Sequence, residues 1–107
     1  MANYTTKKIT TSATIGGVGT PVAIHGVTLI AGTAAGSIII KNGESTGTEM
    51  WKLTWAAVTN AGDASTAITF TRPIICGTSG YATLAGTAAI AYVQYSTDLA
   101  EANRDIK

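Results

Sequence analysis

The chain has little charge. Asp, Glu, Lys and Arg supply 12% of its 107 residues and leave a net charge of +1, where an average soluble domain carries about 25%. A nucleic-acid binder shows a basic patch or stripe. Here the only adjacent basic pair is Lys7-Lys8, which reads as a solvated strand edge, so no nucleic-acid partner is expected. Cysteine occurs once, as Cys76 in the apolar run PIIC. That excludes an intrachain disulfide and leaves stability to packing or assembly; a small buried hydrophobe is its expected role. No segment approaches the about 20 apolar residues of a membrane helix, and no membrane partner is expected. The N-terminal stretch MANYTTKKITTSATI has no apolar core of signal-peptide length. The chain is therefore expected to be made in the cytoplasm, with the NYT at Asn3 a chance match to the glycosylation pattern.

Groups for catalysis are equally few. His25 is the only histidine, and no CxxC, HxH or HxxE companion accompanies it. Its place beside a glycine in a broken strand pattern points to a structural or interface role. The acids Glu44, Glu49, Asp63, Asp98, Glu101 and Asp105 fall in turns, at strand starts or in the tail, whereas a paired-carboxylate site draws on residues facing one cleft. Asp63 in AGDAS is one carboxylate, too few for a Ca²⁺ site. The GGVG at Gly16–Gly19 precedes TPVAI, a strand pattern, and no GK[ST] follows, so it is not a phosphate cradle. A G-x-S-x-G elbow is absent, and Cys76 has no evident activator. No catalytic, cofactor-binding or metal-binding residue is assigned, and the chain is expected not to be an enzyme.

What is present in abundance is alternation of period two. Ile9, Ala13 and Ile15 share one parity in KITTSATI; Trp51, Leu53 and Trp55 share one in EMWKLTW; Ile68 and Phe70 alternate with Thr69 and Thr71. These are half-buried strands with one packed face and one face of threonines, whose branched stems suit a pleated surface. The parity predicts Ile9, Ile15, Leu53, Trp55, Ile68 and Phe70 in the core, and places Trp51 and Trp55 there rather than on a sugar-stacking platform. Tyr92 and Tyr95 have opposite parities, so only one lies inside. In VAIHGVTLI the parity switches at His25-Gly26, which predicts a β-bulge or bend. SIIIK is apolar on both faces, so its strand is either central or covered by another subunit.

Turn signals recur every 8–12 residues: GGVGTP, AGTAAG, KNGESTG, TNAGDAS, GTSG and a second AGTAA. In KNGESTG, Asn42-Gly43 is a favoured pair for a tight turn. Both AGTAA copies, Ala31–Ala35 and Ala85–Ala89, hold glycine among small residues without chemistry, and read as corners. Seven strands are expected, near 6–15, 22–31, 37–41, 48–58, 66–72, 80–85 and 89–96. Short strands without intervening helices predict an all-β fold, an antiparallel β-sandwich or jelly-roll-like barrel, as one domain over residues 1–96. Residues 97–107 are expected to form a charged C-terminal arm or short helix, capped at Thr97 or Asp98, with Leu99, Ala102 and Ile106 at roughly helical spacing.

The series PVAIHGVTLIAGTAAGSIIIKNG, WKLTWAAV and FTRPIICGTSGYATLAGTAAIAYVQY resembles small all-β virion proteins of tailed bacteriophages, over roughly residues 21 to 96. The resemblance lies in turn glycines and core positions and carries no site residue across. It implies a protein that decorates or cements a capsid or forms the head of a fibre. The leading expectation is a capsid decoration (cement) protein on the outer shell, with the major capsid protein as partner. The low charge and SIIIK independently predict a homo-oligomer; within the decoration-protein reading a trimer is favoured. The alternative is a fibre, tail or receptor-binding head, or a carbohydrate-binding module. Exposed aromatics would mark that second reading; aromatics held in core or interfaces would mark the first.

Overall fold

The computed structural model describes residues 4–60, 65–86 and 88–97. Eight strands follow in order: β1 (Thr5–Ile9), β2 (Ser12–Ile15), β3 (Val22–Ile30), β4 (Gly36–Asn42), β5 (Thr48–Trp55), β6 (Thr66–Cys76), β7 (Gly80–Ala85) and β8 (Ile90–Ser96). Every pairing is antiparallel, and two four-stranded sheets result, β1-β8-β3-β6 and β2-β7-β4-β5. The expected arm from residue 98 onward lies outside the described residues.

The strand order has a simple origin. β1 pairs with β8, β2 with β7, β3 with β6 and β4 with β5, the ladder of one long hairpin folded at the β4–β5 turn. Rolling that hairpin brings β3 against β8 and β4 against β7, which interleaves the strands into two sheets. This is the jelly roll, an all-β sandwich.

Eight strands stand where seven were expected, because the 6–15 pattern is two strands. The alternation runs through Thr10 and Thr11, but the chain bends there, sending β1 to one sheet and β2 to the other. Ile9 and Ile15 are both fully buried, so the parity was right although the strand was broken. β6 runs on past the expected 72 to Cys76 and includes Pro73. An edge strand tolerates this proline, since a missing ladder donor there need not face a partner.

Between the sheets lie Ile9, Ile15, Val22, Ile24, Val27, Leu29, Ile38, Ile40, Ala82, Leu84, Ala91 and Val93. Each large aliphatic side chain among them contributes about 1.5–3 kcal/mol when fully removed from water. SIIIK proves central: β4 lies between β7 and β5. Its Ile38 and Ile40 are in the core while Ile39, on the outer face, is half-buried. No second subunit is needed to explain that run.

The bulge at His25 is present. Ile24 pairs with Tyr95 and Gly26 with Gln94, so His25 is the extra residue against β8. Against β6, Ile24 faces Ile74 and Gly26 faces Thr69, leaving Phe70 to Pro73 bulged at the same level. The extra residue lets Val22, Ile24, Val27 and Leu29 all reach the core despite their change of parity.

Candidate functional site

Three places hold the residues with chemistry to offer. At one end of the sandwich, the turn after β4 carries Glu44. Gly43 takes φ +112° there, a conformation few residues other than glycine adopt, and its N–H donates to the Ser79 carbonyl at 2.8 Å. Glu44 then accepts from Ser79 Oγ at 2.7 Å and from Thr14 Oγ1 at 2.9 Å. Asn42 Oδ1 accepts from the Thr78 N–H at 2.9 Å. Ser79 is 1% exposed, and a hydroxyl removed from water needs such an acceptor. The carboxylate therefore ties β2, the β4–β5 turn and the β6–β7 turn together. Among the described residues, no three His, Cys, Asp or Glu side chains stand close enough to hold a metal ion.

The second place is the bulge. His25 is only 6% exposed. The Tyr4 ring stacks on it, centroids 3.9 Å apart and planes 20° from parallel, and its Nε2 lies 3.4 Å from Ser96 Oγ. The histidine thus fastens the chain ahead of β1 to β3 and β8. Cys76, completely buried, has its thiol pushed up to about 11 by burial, because a low-dielectric surrounding disfavours the thiolate. Such a thiol is inert at neutral pH.

The third place is the side of the sandwich where β5 and β6 form the outer strands. On the opposite side Ile9 and Ile15 are sealed. Here Trp51, Leu53, Trp55, Ile68 and Phe70, inward by parity as expected, remain only half-buried. Trp51 and Phe70 meet edge to face across the gap, centroids 5.2 Å apart. Four of the six expected core residues therefore line an open seam instead of a closed core. Met50 adds a large apolar side chain, 43% exposed.

Trp55 closes the end of that seam, where the two AGTAA corners turn out to be neighbours. Each joins the two sheets, from β3 to β4 and from β7 to β8. Ser37, just past the first corner, pairs with Ala85, where the second begins, and Trp55 Nε1 donates to the Ala34 carbonyl at 3.1 Å. The copies differ in backbone: Gly86 and Ala88 take positive φ in the second, whereas no residue of the first does. Both are corners, as expected, but not copies of one turn.

Of the other residues considered from sequence, Glu49 is exposed on β5, Lys7 and Lys8 lie on the outer strand β1, and Val18 in GGVG is 76% exposed at a loop tip. Tyr95 packs against the core, while Tyr92 lies across from Lys8 and Thr28 on the outer face. Asp63, Asp98, Glu101 and Asp105 lie outside the described residues. Sequence reasoning missed the Glu44 clamp, whose partners Thr14 and Ser79 are 30 and 35 residues away. Its only local sign was an acid directly after Asn-Gly. The described residues enclose no pocket.

Fold and geometry define an eight-stranded jelly roll. Comparison with models of known families, with curated proteins and with solved structures found no match.

Proposed function

We propose that this chain is a structural component of a bacteriophage virion, a decoration (cement) protein that binds the outer capsid surface and braces the shell as a homo-oligomer. The observation that supports it best is where the aromatics sit. Trp51, Trp55 and Phe70 face inward and meet one another or backbone at an open seam, and the most exposed ring, Tyr4 at 50%, is stacked on His25. A glycan- or receptor-binding module presents aromatic faces to solvent, whereas half-covered apolar side chains along an edge suit a protein–protein contact. The jelly roll agrees by analogy, since capsid proteins use it, although lectins do too. Its mechanism is mechanical: bridging adjacent capsid subunits against internal pressure.

Cryo-electron microscopy of purified particles carrying this chain tests the reading. Copies on the outer shell, contacting the major capsid protein, are the expected result. Density at a tail or fibre tip transfers the proposal to the receptor-binding alternative, and absence from the particle overturns both.

A further inference from the structure

Among the described residues no strand pairs with the outer edge of β5. Natural sheets blunt such edges with charges and bulges. β5 carries both, Glu49 and Lys52 around an extra residue, Met50, where Ile40 pairs with Trp51 but Lys41 with Glu49. These devices are arranged so that they do not repel a second copy of the same strand.

Place β5 antiparallel to β5 of a second copy, with the two-fold axis between Met50 and Trp51. Glu49 then falls opposite Lys52 of the second copy, and Lys52 opposite its Glu49. In an unbroken strand these two positions, three apart, would point to opposite faces. The bulge corrects this. Glu49 lies across from Lys41 and Lys52 across from Ile39, two positions on the outer face of β4, so both charges lie on one face. The same register sets Thr48 against Leu53 of the second copy. At the axis stand Met50, 43% exposed, and half-buried Trp51, residue types enriched in interface cores. Two reciprocal opposite-charge pairs flanking an aromatic centre make the edge complementary to itself, as a two-fold contact requires.

We infer that β5 is the edge through which two copies of this chain pair, joining their β2-β7-β4-β5 sheets into one eight-stranded sheet and covering the Trp51 end of the seam. This names the partner at the assembly surface and rests on the proposed function only in taking that partner to be the chain itself. It pairs copies in twos, in contrast to the trimer expected from sequence.

Sedimentation of the purified full chain at micromolar to high micromolar concentration tests it, with circular dichroism as the fold control. The wild type should form dimers. Lys52→Glu turns both opposite-charge pairs into facing carboxylates, and should raise the dimer dissociation constant on the order of tenfold, since like charges directly opposite destabilise a strand pair. Glu49→Lys should do the same with facing ammonium groups, and the double variant E49K/K52E should restore dimerisation. Lys52→Glu is the cleaner single change, because its neighbour on β4 is Ile39 rather than Lys41. A wild-type monomer, a trimer, a dimer indifferent to both single variants, or a double variant no better than either single one overturns the contact. Those outcomes leave the virion location standing, although a monomer removes the homo-oligomer from that reading, whereas absence from the particle overturns it whatever the mass in solution.

Discussion

Replacing Glu44 by alanine tests whether one turn carboxylate holds an end of the sandwich together. The substitution removes the acceptor 2.7 Å from Ser79 Oγ and 2.9 Å from Thr14 Oγ1. Thr14 is half-buried and recovers water at little cost. Ser79, 1% exposed, does not, and a buried hydroxyl left without an acceptor costs about 1–3 kcal/mol. Loosening of the turn, whose Gly43 N–H also donates to Ser79, adds to this. The expected total is about 2–3 kcal/mol, a loss of about 10 °C or more in Tm for a domain of this size. Ser79→Ala removes the donor but leaves the carboxylate its Thr14 bond and water, so about 1 kcal/mol is expected. Once Ser79 is gone, Glu44→Ala should cost only about 1 kcal/mol more, a coupling of about 1–2 kcal/mol in the double-mutant cycle. Urea unfolding followed by fluorescence of the half-buried Trp51 and Trp55, at one fixed protein concentration because assembly adds apparent stability, measures all four proteins. A Glu44→Ala protein within about 0.5 kcal/mol of wild type, or strictly additive losses, would refute the clamp.

Three further outcomes are expected. Gly36→Ala drives a methyl into the Ala85 carbonyl oxygen and the Trp55 ring. The two corners must separate, at about 1–3 kcal/mol by analogy with overpacked cores, and a wild-type thermal midpoint would contradict this. Cys76 has its folded-state pKa raised from 9.0 to about 11. Its neutral form is favoured by folding, so that contribution is intact below pH 9 and fades as pH rises through 11, the full loss reaching about 3 kcal/mol. Cys76→Ala should flatten this part of the pH–stability curve, and identical alkaline slopes in both proteins would show that the thiol is not responsible. Finally, truncation after Ser96 should leave the sandwich folded and weaken assembly or capsid binding; unchanged particle occupancy and heat resistance would assign the tail no contact role.

The sequence by itself determined most of the local structure. A side-chain period of two, with threonine on one face, specifies a strand and its buried side from neighbouring residues alone. Ile9, Ile15, Trp51, Leu53, Ile68 and Phe70 were therefore assigned to the correct face, and the parity switch at His25 revealed its bulge. Glycines between such runs similarly marked both AGTAA corners. Only the tertiary structure decided what lay opposite each face. Parity says that Leu53 and Phe70 point inward, but how well they are covered depends on how closely β5 and β6 approach each other from the two sheets. Ile9 and Ile15, sealed on the outer strands opposite, show that strand position alone does not fix this. The pairing order separates β1 from β2 at Thr10-Thr11, where the alternation continues unbroken, and sets the two corners side by side. The Glu44 clamp is likewise invisible locally, because Thr14 and Ser79 reach it only when three segments distant in the chain converge. Short-range sterics and burial period are written residue by residue, whereas coverage and hydrogen-bond partners come from contacts that exist only after the long hairpin has rolled up.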